Sequence, residues 1–399
     1  MTGDGGVTAR EARRPREARD GAQPAAGDGM ADGGAVTAPA EPAGYQWEDS
    51  DADVAAAWGL DPSAIVRFDT NTSPRVPPGL DALIGTEARR LALNEYPDAT
   101  YARLTAAIAA RLNVPASRIV VGAGADEVLD LAAKTCLPAG GRAVLAAPTY
   151  AMYRVLTHQR SAGLIEVPRG AADDGFPLDV EAVIRASAAA DLLWLCDPDN
   201  PTGTVQPDGL IAGLLRRLSE LPGGGPVVVV DEAYREFAGA SLVPETARFP
   251  RLVVARTVSK AYGLAGIRVG WAVAAEPLAA RLSTVRPPGS ISSLSAAIAA
   301  AALSDDGFAR ANVAALVDER ERLRVALAAR GWHVLPSATN FVLLDAGNAA
   351  GAEAAARRLL REGLVPRRYA HGPLRAYLRL TVRTPDQDAR LVAALGARP

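Results

Sequence analysis

Lysine is nearly missing from this chain: only Lys134 and Lys260 occur among its 43 basic residues, the rest being arginine. A lysine kept in such a composition is a candidate for chemistry closed to a guanidinium, such as forming an imine with a carbonyl. Cysteine and histidine are scarce as well. Cys136 and Cys196 lie far apart, and His158, His333 and His371 are the only histidines. That inventory offers no disulfide framework and no metal-ligand spacing, and it points to a reduced, cytoplasmic compartment. The formal net charge of −2 creates no global field to recruit nucleic acid or an anionic membrane. Long apolar runs are missing too. The longest uncharged stretch, 287–304, opens with Pro-Pro-Gly and is dotted with serines, a poor membrane span.

What is present is an ordinary globular mixture, 49% hydrophobic and 22% charged over 399 residues, enough for two domains or three. Residues 1–44 hold almost no large apolar side chain and lack the apolar core of a secretory signal, so they are expected to be a disordered tail. From Tyr45 the chain alternates helical and strand patterns. Short strands are expected at Ile119–Val121, Ala143–Ala146, Leu192–Cys196, Val227–Val230, Leu252–Ala255 and Val269–Ala274, with helices such as Asp126–Leu137 between them. Strands apolar on both faces and separated by helices predict an α/β fold with a mostly parallel central sheet covered on both sides. After Pro288 the texture changes to one long charged helix, Phe308–Arg330, followed by strands near 332–335, 341–344 and 378–382. The expected organisation is therefore an N-terminal arm (45–75), a large domain (76–288) and a smaller α+β domain (289–399).

Ligands of open α/β sheets bind beyond the carboxyl ends of the strands, so the residues that follow each strand test function. Those residues are Gly122-Ala123-Gly124-Ala125-Asp126-Glu127, then Asp197-Pro198-Asp199-Asn200-Pro201-Thr202-Gly203. Next come Asp231-Glu232-Ala233-Tyr234 and Arg256-Thr257-Val258-Ser259-Lys260, with Arg268 eight positions further on. The glycine turn alone resembles a dinucleotide fingerprint. Glu127 occupies the third small position, however, and no acid follows at the distance that a ribose needs. What remains is a helix N-terminus whose N–H groups either cradle a phosphate or simply cap the helix.

The other strand-end groups match a pyridine-ring cofactor with a phosphate arm. Lys260 can form a Schiff base with its aldehyde, and Asp231 would keep the ring nitrogen protonated. Asn200 and Tyr234 supply donors for the ring oxygen, Arg268 and Ser259 can meet the phosphate, and Tyr150 offers an aromatic face. Each has an ordinary explanation alone: Asp231 as a helix cap, Asn200 as a turn residue, Tyr150 as core. Lys134 lies in a regular amphipathic helix and reads as a solvated surface residue.

With those motifs in view, the sequence from about Asn71 to Val382 resembles the fold type I pyridoxal-phosphate enzymes of the class I/II aminotransferases. Within them it is most similar to the histidinol-phosphate aminotransferases. The resembling segments include Asn94-Glu95-Tyr96-Pro97-Asp98, Pro148-Thr149-Tyr150-Ala151-Met152-Tyr153, Asp199-Asn200-Pro201-Thr202-Gly203, Ser259-Lys260-Ala261-Tyr262-Gly263-Leu264-Ala265-Gly266-Ile267-Arg268 and Leu378-Arg379-Leu380-Thr381-Val382. The resemblance implies pyridoxal 5′-phosphate as cofactor, Lys260 as its covalent anchor and Asp231 at the pyridine nitrogen. It implies Ala125, Asp126, Ser259 and Arg268 around the cofactor phosphate. It further implies a homodimer in which Tyr96 reaches the partner's cofactor. Arg379 would bind the carboxylate of the donor glutamate with Asn340 beside it, and Arg367 would help to hold the phosphate of the acceptor. Where the family usually carries Asn-Glu-Asn-Pro, this chain has Asn71-Thr72-Ser73-Pro74, in the arm that covers the substrate. An aromatic aminotransferase and a threonine-phosphate decarboxylase stay open on the same fold, and so does a cofactor-binding sensor without turnover.

Overall fold

The computed structural model describes residues 48–398; the expected tail over 1–44 and the first residues of the arm lie outside them. Twelve strands occur among the described residues: β1 (Val66–Arg67), β2 (Ile119–Gly122), β3 (Arg142–Ala147), β4 (Gly163–Pro168), β5 (Leu192–Cys196), β6 (Val227–Asp231), β7 (Leu252–Thr257), β8 (Gly270–Ala274), β9 (His333–Val334), β10 (Phe341–Asp345), β11 (Leu364–Val365) and β12 (Tyr377–Thr381). Seven of them form the central sheet in the order β2-β8-β7-β6-β5-β3-β4. All the pairings from β4 across to β7 are parallel, whereas β8 runs antiparallel to both β7 and β2. The fold is thus α/β with a mostly parallel sheet. The exception, β8, follows β7 through 258–269, a connection that holds only a single 3₁₀ turn and no crossover α-helix of the kind that usually joins parallel strands.

Period-two alternation divides each strand between two cores. Val144, Leu193, Leu195, Val228, Val230 and Val254 join one apolar cluster, while Leu145, Trp194, Val227, Val229 and Val253 join the other. The helix Gly124–Cys136 packs its buried Val128, Leu129, Ala132 and Cys136 on the second face. The first cluster also takes in buried residues of Ala102–Leu112, Leu210–Ser219, Ser293–Ser304 and the 22-residue helix Gly307–Ala328. Ser293–Ser304, from the uncharged stretch, is capped by the Ser292 hydroxyl, which accepts from Ser295 N. No helix among the described residues is long and apolar enough to cross a membrane.

A smaller antiparallel sheet, β12-β10-β9, accompanies the helices Gly307–Ala328, Ala349–Arg361 and Pro385–Leu395. The arm is tied to this part of the chain. β1 pairs in parallel with β11, and Thr381 N donates to Phe68 O at 2.7 Å. Neither β4 nor the two-residue strands β1 and β11 were expected from the sequence; β4 alternates buried and exposed residues at the sheet edge, and pairs this short leave no periodic signal.

Candidate active site

Every parallel strand of the central sheet, including the edge strand β4 through Glu166 and Pro168, delivers its C-terminal residues to one cavity of about 940 Å³. β2 leads into the turn before Ala125 and Asp126, and β3 into Tyr150. β5 leads to Asn200, β6 ends on Asp231 with Tyr234 beyond it, and β7 runs on to Ser259 and Lys260. All of these strand-end residues and Arg268 line the cavity, as do Arg367 and Arg379 from the C-terminal part. Of the expected site residues, Tyr96 and Asn340 alone are outside this lining. Tyr96 is 96% exposed. Asn340 is fully buried and donates from Nδ2 to the Asn71 carbonyl at 3.0 Å.

The Lys260 amine faces the cavity and is otherwise enclosed by protein. Its Nζ donates to the Asn71 carbonyl at 3.2 Å and sits 5.6 Å from the centroid of the Tyr234 ring. Desolvation, aided by the nearby Arg379 charge, pushes the ammonium down to about 8 from its ordinary value near 10.5. A substantial neutral fraction is therefore available at physiological pH, as a nucleophilic amine requires.

Asp231 closes β6 with its carboxylate buried. Desolvation pushes this acid up to about 6, against the opposing pull of two donors: Ala233 N to Oδ1 at 3.0 Å and Tyr153 Oη to Oδ2 at 2.9 Å. The Tyr153 ring is itself fixed, lying parallel to Trp194 (centroids 5.3 Å, interplanar 8°) and edge-on to Tyr150 (5.6 Å, 87°).

A second cluster surrounds the glycine turn. Glu127 Oε2 accepts from Ala123 N at 2.5 Å and from Ser290 Oγ at 2.7 Å. This acid, out of place in a dinucleotide fingerprint, caps its own turn and leaves Ala125 N and Asp126 N as first-turn donors. Gly124 adopts φ +82°, and β8 passes so close beneath that a Cβ on Gly270 would lie 2.6 Å from the Gly124 carbonyl carbon and 2.7 Å from Ala125 N. Only glycine fits there. Asp126 accepts from Tyr150 Oη (2.9 Å) and Arg268 Nη2 (3.2 Å), and Ser259 Oγ shares a hydrogen bond with Thr257 Oγ1 at 2.8 Å.

On the C-terminal side, Arg379 Nη1 donates to Asn200 Oδ1 at 2.6 Å and Nη2 donates to the Asp69 carbonyl; its Nε is buried without a partner. Arg367 pairs backbone-to-backbone with Arg379 and donates from Nη1 to Glu48 Oε1 at 2.6 Å. Lys134, by contrast, is at the surface with Asp130 one helical turn away, 2.6 Å from its carboxylate.

The donor set fits a phosphorylated pyridine aldehyde. It combines an amine poised for a carbonyl, a desolvated acid with room for a cationic ring nitrogen, a glycine-built cradle with an arginine for a phosphate, and a second pair of arginines. Sequence reasoning missed Asn71 and Tyr153 as members of this site. Tyr153 stands one helical turn from Tyr150, a spacing that could have suggested a shared face. Asn71 entered the sequence reading only as the first residue of the departing arm motif, with no role for its own side chain.

Comparison with known proteins bears on the same residues. The family described as Aminotransferase class I and II matches residues 68–395. A histidinol-phosphate aminotransferase 2 of Ralstonia nicotianae is 36% identical over 352 residues, spanning 86% of this chain and 91% of that protein. A histidinol-phosphate aminotransferase of Roseiflexus castenholzii is 37% identical, spanning 84% and 90%. Among solved structures, the histidinol-phosphate aminotransferase of Sinorhizobium meliloti in complex with pyridoxal-5′-phosphate superposes with a TM-score of 0.80 at 28% identity, covering 88% of this chain and 94% of that one.

Proposed function

This chain belongs to the class I and II aminotransferases, and from that premise we propose that it carries pyridoxal 5′-phosphate and exchanges an amino group between glutamate and imidazole acetol phosphate. The products are 2-oxoglutarate and histidinol phosphate, a step of histidine biosynthesis in the cytoplasm. The observation that carries this reading is the meeting of Lys260 and Asp231 in one cavity with two separate arginine groups, Arg268 on one side and Arg367 with Arg379 on the other.

When bound, the cofactor supplies an aldehyde carbon for amines and a ring that accepts the electron pair freed at the substrate carbon. The chain's residues do the rest. Lys260, part neutral at working pH, is the covalent anchor and afterwards the group that takes and returns a proton at the substrate carbon, a role typically worth ~10² to 10⁴ in rate. Asp231 holds the ring nitrogen in its protonated form. Asn200 Nδ2, left free because Oδ1 is used by Arg379, and the Tyr234 hydroxyl serve the ring oxygen. Ala125 N, Asp126 N, Ser259 and Arg268 take the cofactor phosphate, and Tyr150 lies against the ring. Arg379 binds the donor's carboxylate, with Asn340 in the same part of the site, bonded to the Asn71 carbonyl. Arg367 meets the acceptor's phosphate. The exposed Tyr96 acts in the partner's site, so the active unit is a homodimer. The large and small domains meet near residue 288.

A half-reaction screen tests the proposal. The loaded enzyme should lose its visible absorbance on adding glutamate or histidinol phosphate alone, with 2-oxoglutarate released from glutamate. Carbon dioxide released from phosphothreonine without any 2-oxoglutarate would reassign the chain as a decarboxylase. Conversion by phenylalanine or tyrosine but not histidinol phosphate would make it an aromatic aminotransferase.

A further inference from the structure

Asn71 hydrogen-bonds to the Lys260 amine, to the Tyr234 phenol and to Thr381 of the small sheet. It is 2% exposed and adopts φ +53°, a left-handed conformation that asparagine tolerates at a cost other non-glycine residues avoid. Five hydrogen bonds hold it there. Its N donates to Thr381 Oγ1 (2.9 Å) and its Oδ1 accepts from the same hydroxyl (3.1 Å). Its carbonyl accepts from Lys260 Nζ (3.2 Å) and Asn340 Nδ2 (3.0 Å). Its Nδ2 donates to Tyr234 Oη at 2.9 Å.

The last bond has a consequence for the cavity. A phenol oxygen carries one proton, and an amide donor on its acceptor side turns that proton away from the amide. We propose that Asn71 is a positioning residue: its side-chain amide directs the Tyr234 O–H into the cavity, toward the oxygen of a bound ring, while its carbonyl gives the Lys260 amine a resting partner. The inference rests on the cofactor assignment above and adds a residue to which sequence and resemblance gave no role beyond substrate cover. The backbone strain then has a use, because it presents the carbonyl and the amide of one residue to two different groups of the site.

The test is a double-mutant cycle read by pH titration of the bound cofactor's visible absorbance. A donor to the ring oxygen stabilises its anion and favours the deprotonated form, so losing the donor raises the midpoint. Asn71→Gly suits the purpose, because glycine accepts the left-handed backbone and removes only the side chain. The charged and titratable groups around the phenol, namely Lys260, Asp231, Arg379 and Cys196, are unchanged in it. The midpoint should rise by about half a pH unit or more, the size of one neutral hydrogen bond. In a Tyr234→Phe background the same substitution should move it hardly at all. Asn71→Asp keeps the acceptor for Thr381 but replaces the donor, and should raise the midpoint as well. A midpoint that stays put, falls, or rises equally in both backgrounds overturns the inference. So does a lost band in Asn71→Gly with an unaltered midpoint in Asn71→Asp. A parent protein with no visible band overturns this inference and the proposed function together, whereas a titrating band without coupling overturns this inference alone.

Discussion

Tyr153 donates its phenolic proton to Asp231 Oδ2 at 2.9 Å in a pocket where both side chains are buried. Among the described residues it is one of two hydrogen bonds that hold the carboxylate's charge against desolvation, the other coming from Ala233 N, and the Lys260 charge adds a smaller pull. Tyr153→Phe should therefore push Asp231 above its value of about 6 and leave it neutral over more of the working range. Affinity for pyridoxal phosphate should fall about 10-fold or more at pH 6.5, the scale of a hydrogen bond to a charged group, and recover towards the parent value at pH 8.5. Absorbance titrations at the two pH values decide it, and equal affinity at both would rule the role out.

Lys260 should declare its lowered pKa through its reactivity. In cofactor-free protein the ammonium sits at about 8, so the neutral fraction climbs through pH 8 and saturates about a unit above. Reductive methylation over a pH series, read by peptide mass spectrometry, should give Lys260 a midpoint near that value. Lys134, the only other lysine, is the exposed reference in the same sample. A Lys260 profile still rising steeply at pH 10 would contradict the burial that lowers it. Lys260→Ala should abolish both turnover and the visible band.

The strand-end residues that line the cavity were legible because strand and polar punctuation alternate so plainly. Val227–Val230 can only be a buried strand, and whatever follows it, here Asp231, must emerge at the sheet's carboxyl end. Asn200, Ser259 and Lys260 were found in the same way. Arg367 and Arg379 were not readable from spacing and came from the family resemblance. Asn71 and Tyr153 remained hidden for a different reason. Their importance lies in contacts with residues 163 and 78 positions away, and a single sequence carries no trace of such pairings. The antiparallel β8 shows the same limit: Gly270–Ala274 is as apolar as its parallel neighbours, and only the missing helix before it distinguishes the direction.

Asp231 also sets a pH dependence for the empty protein. Burial raises it from 3.8 to about 6, so between those values the native state binds more protons than the unfolded chain. Stability then falls as pH rises through that window. Asp231→Asn removes the contribution. The stability of the variant relative to the parent should increase by about 3 kcal/mol from pH 3.5 to pH 7, reading the shift at 1.36 kcal/mol per unit. Denaturant unfolding of both proteins across the range checks the sign. With cofactor present the order should reverse, because the parent alone offers the ring nitrogen a counter-charge.

Under the proposed function Arg268 and Gly270 serve the cofactor phosphate by different means, and substitutions should separate them. Arg268→Ala removes a charge-assisted partner but leaves the turn's backbone in place, since the arginine meets the turn at Asp126 and Gly124 through the flexible end of its side chain alone. Affinity for pyridoxal phosphate should drop about 10- to 100-fold, with unphosphorylated pyridoxal unaffected. Gly270→Ala keeps the charge and destroys the seat. Its methyl group would need the space of the Gly124 carbonyl carbon and Ala125 N, which are backbone atoms and cannot rotate aside. The cost of such overpacking is about 1–3 kcal/mol, and the displaced turn carries away the N–H donors of Ala125 and Asp126. That variant should therefore lose thermal stability even without cofactor and bind pyridoxal phosphate weakly in high and low salt alike, whereas the arginine variant should keep the parent's melting temperature. Equal melting temperatures for Gly270→Ala and the parent would mean that β8 does not press on the turn, and the cradle would have to be held from elsewhere.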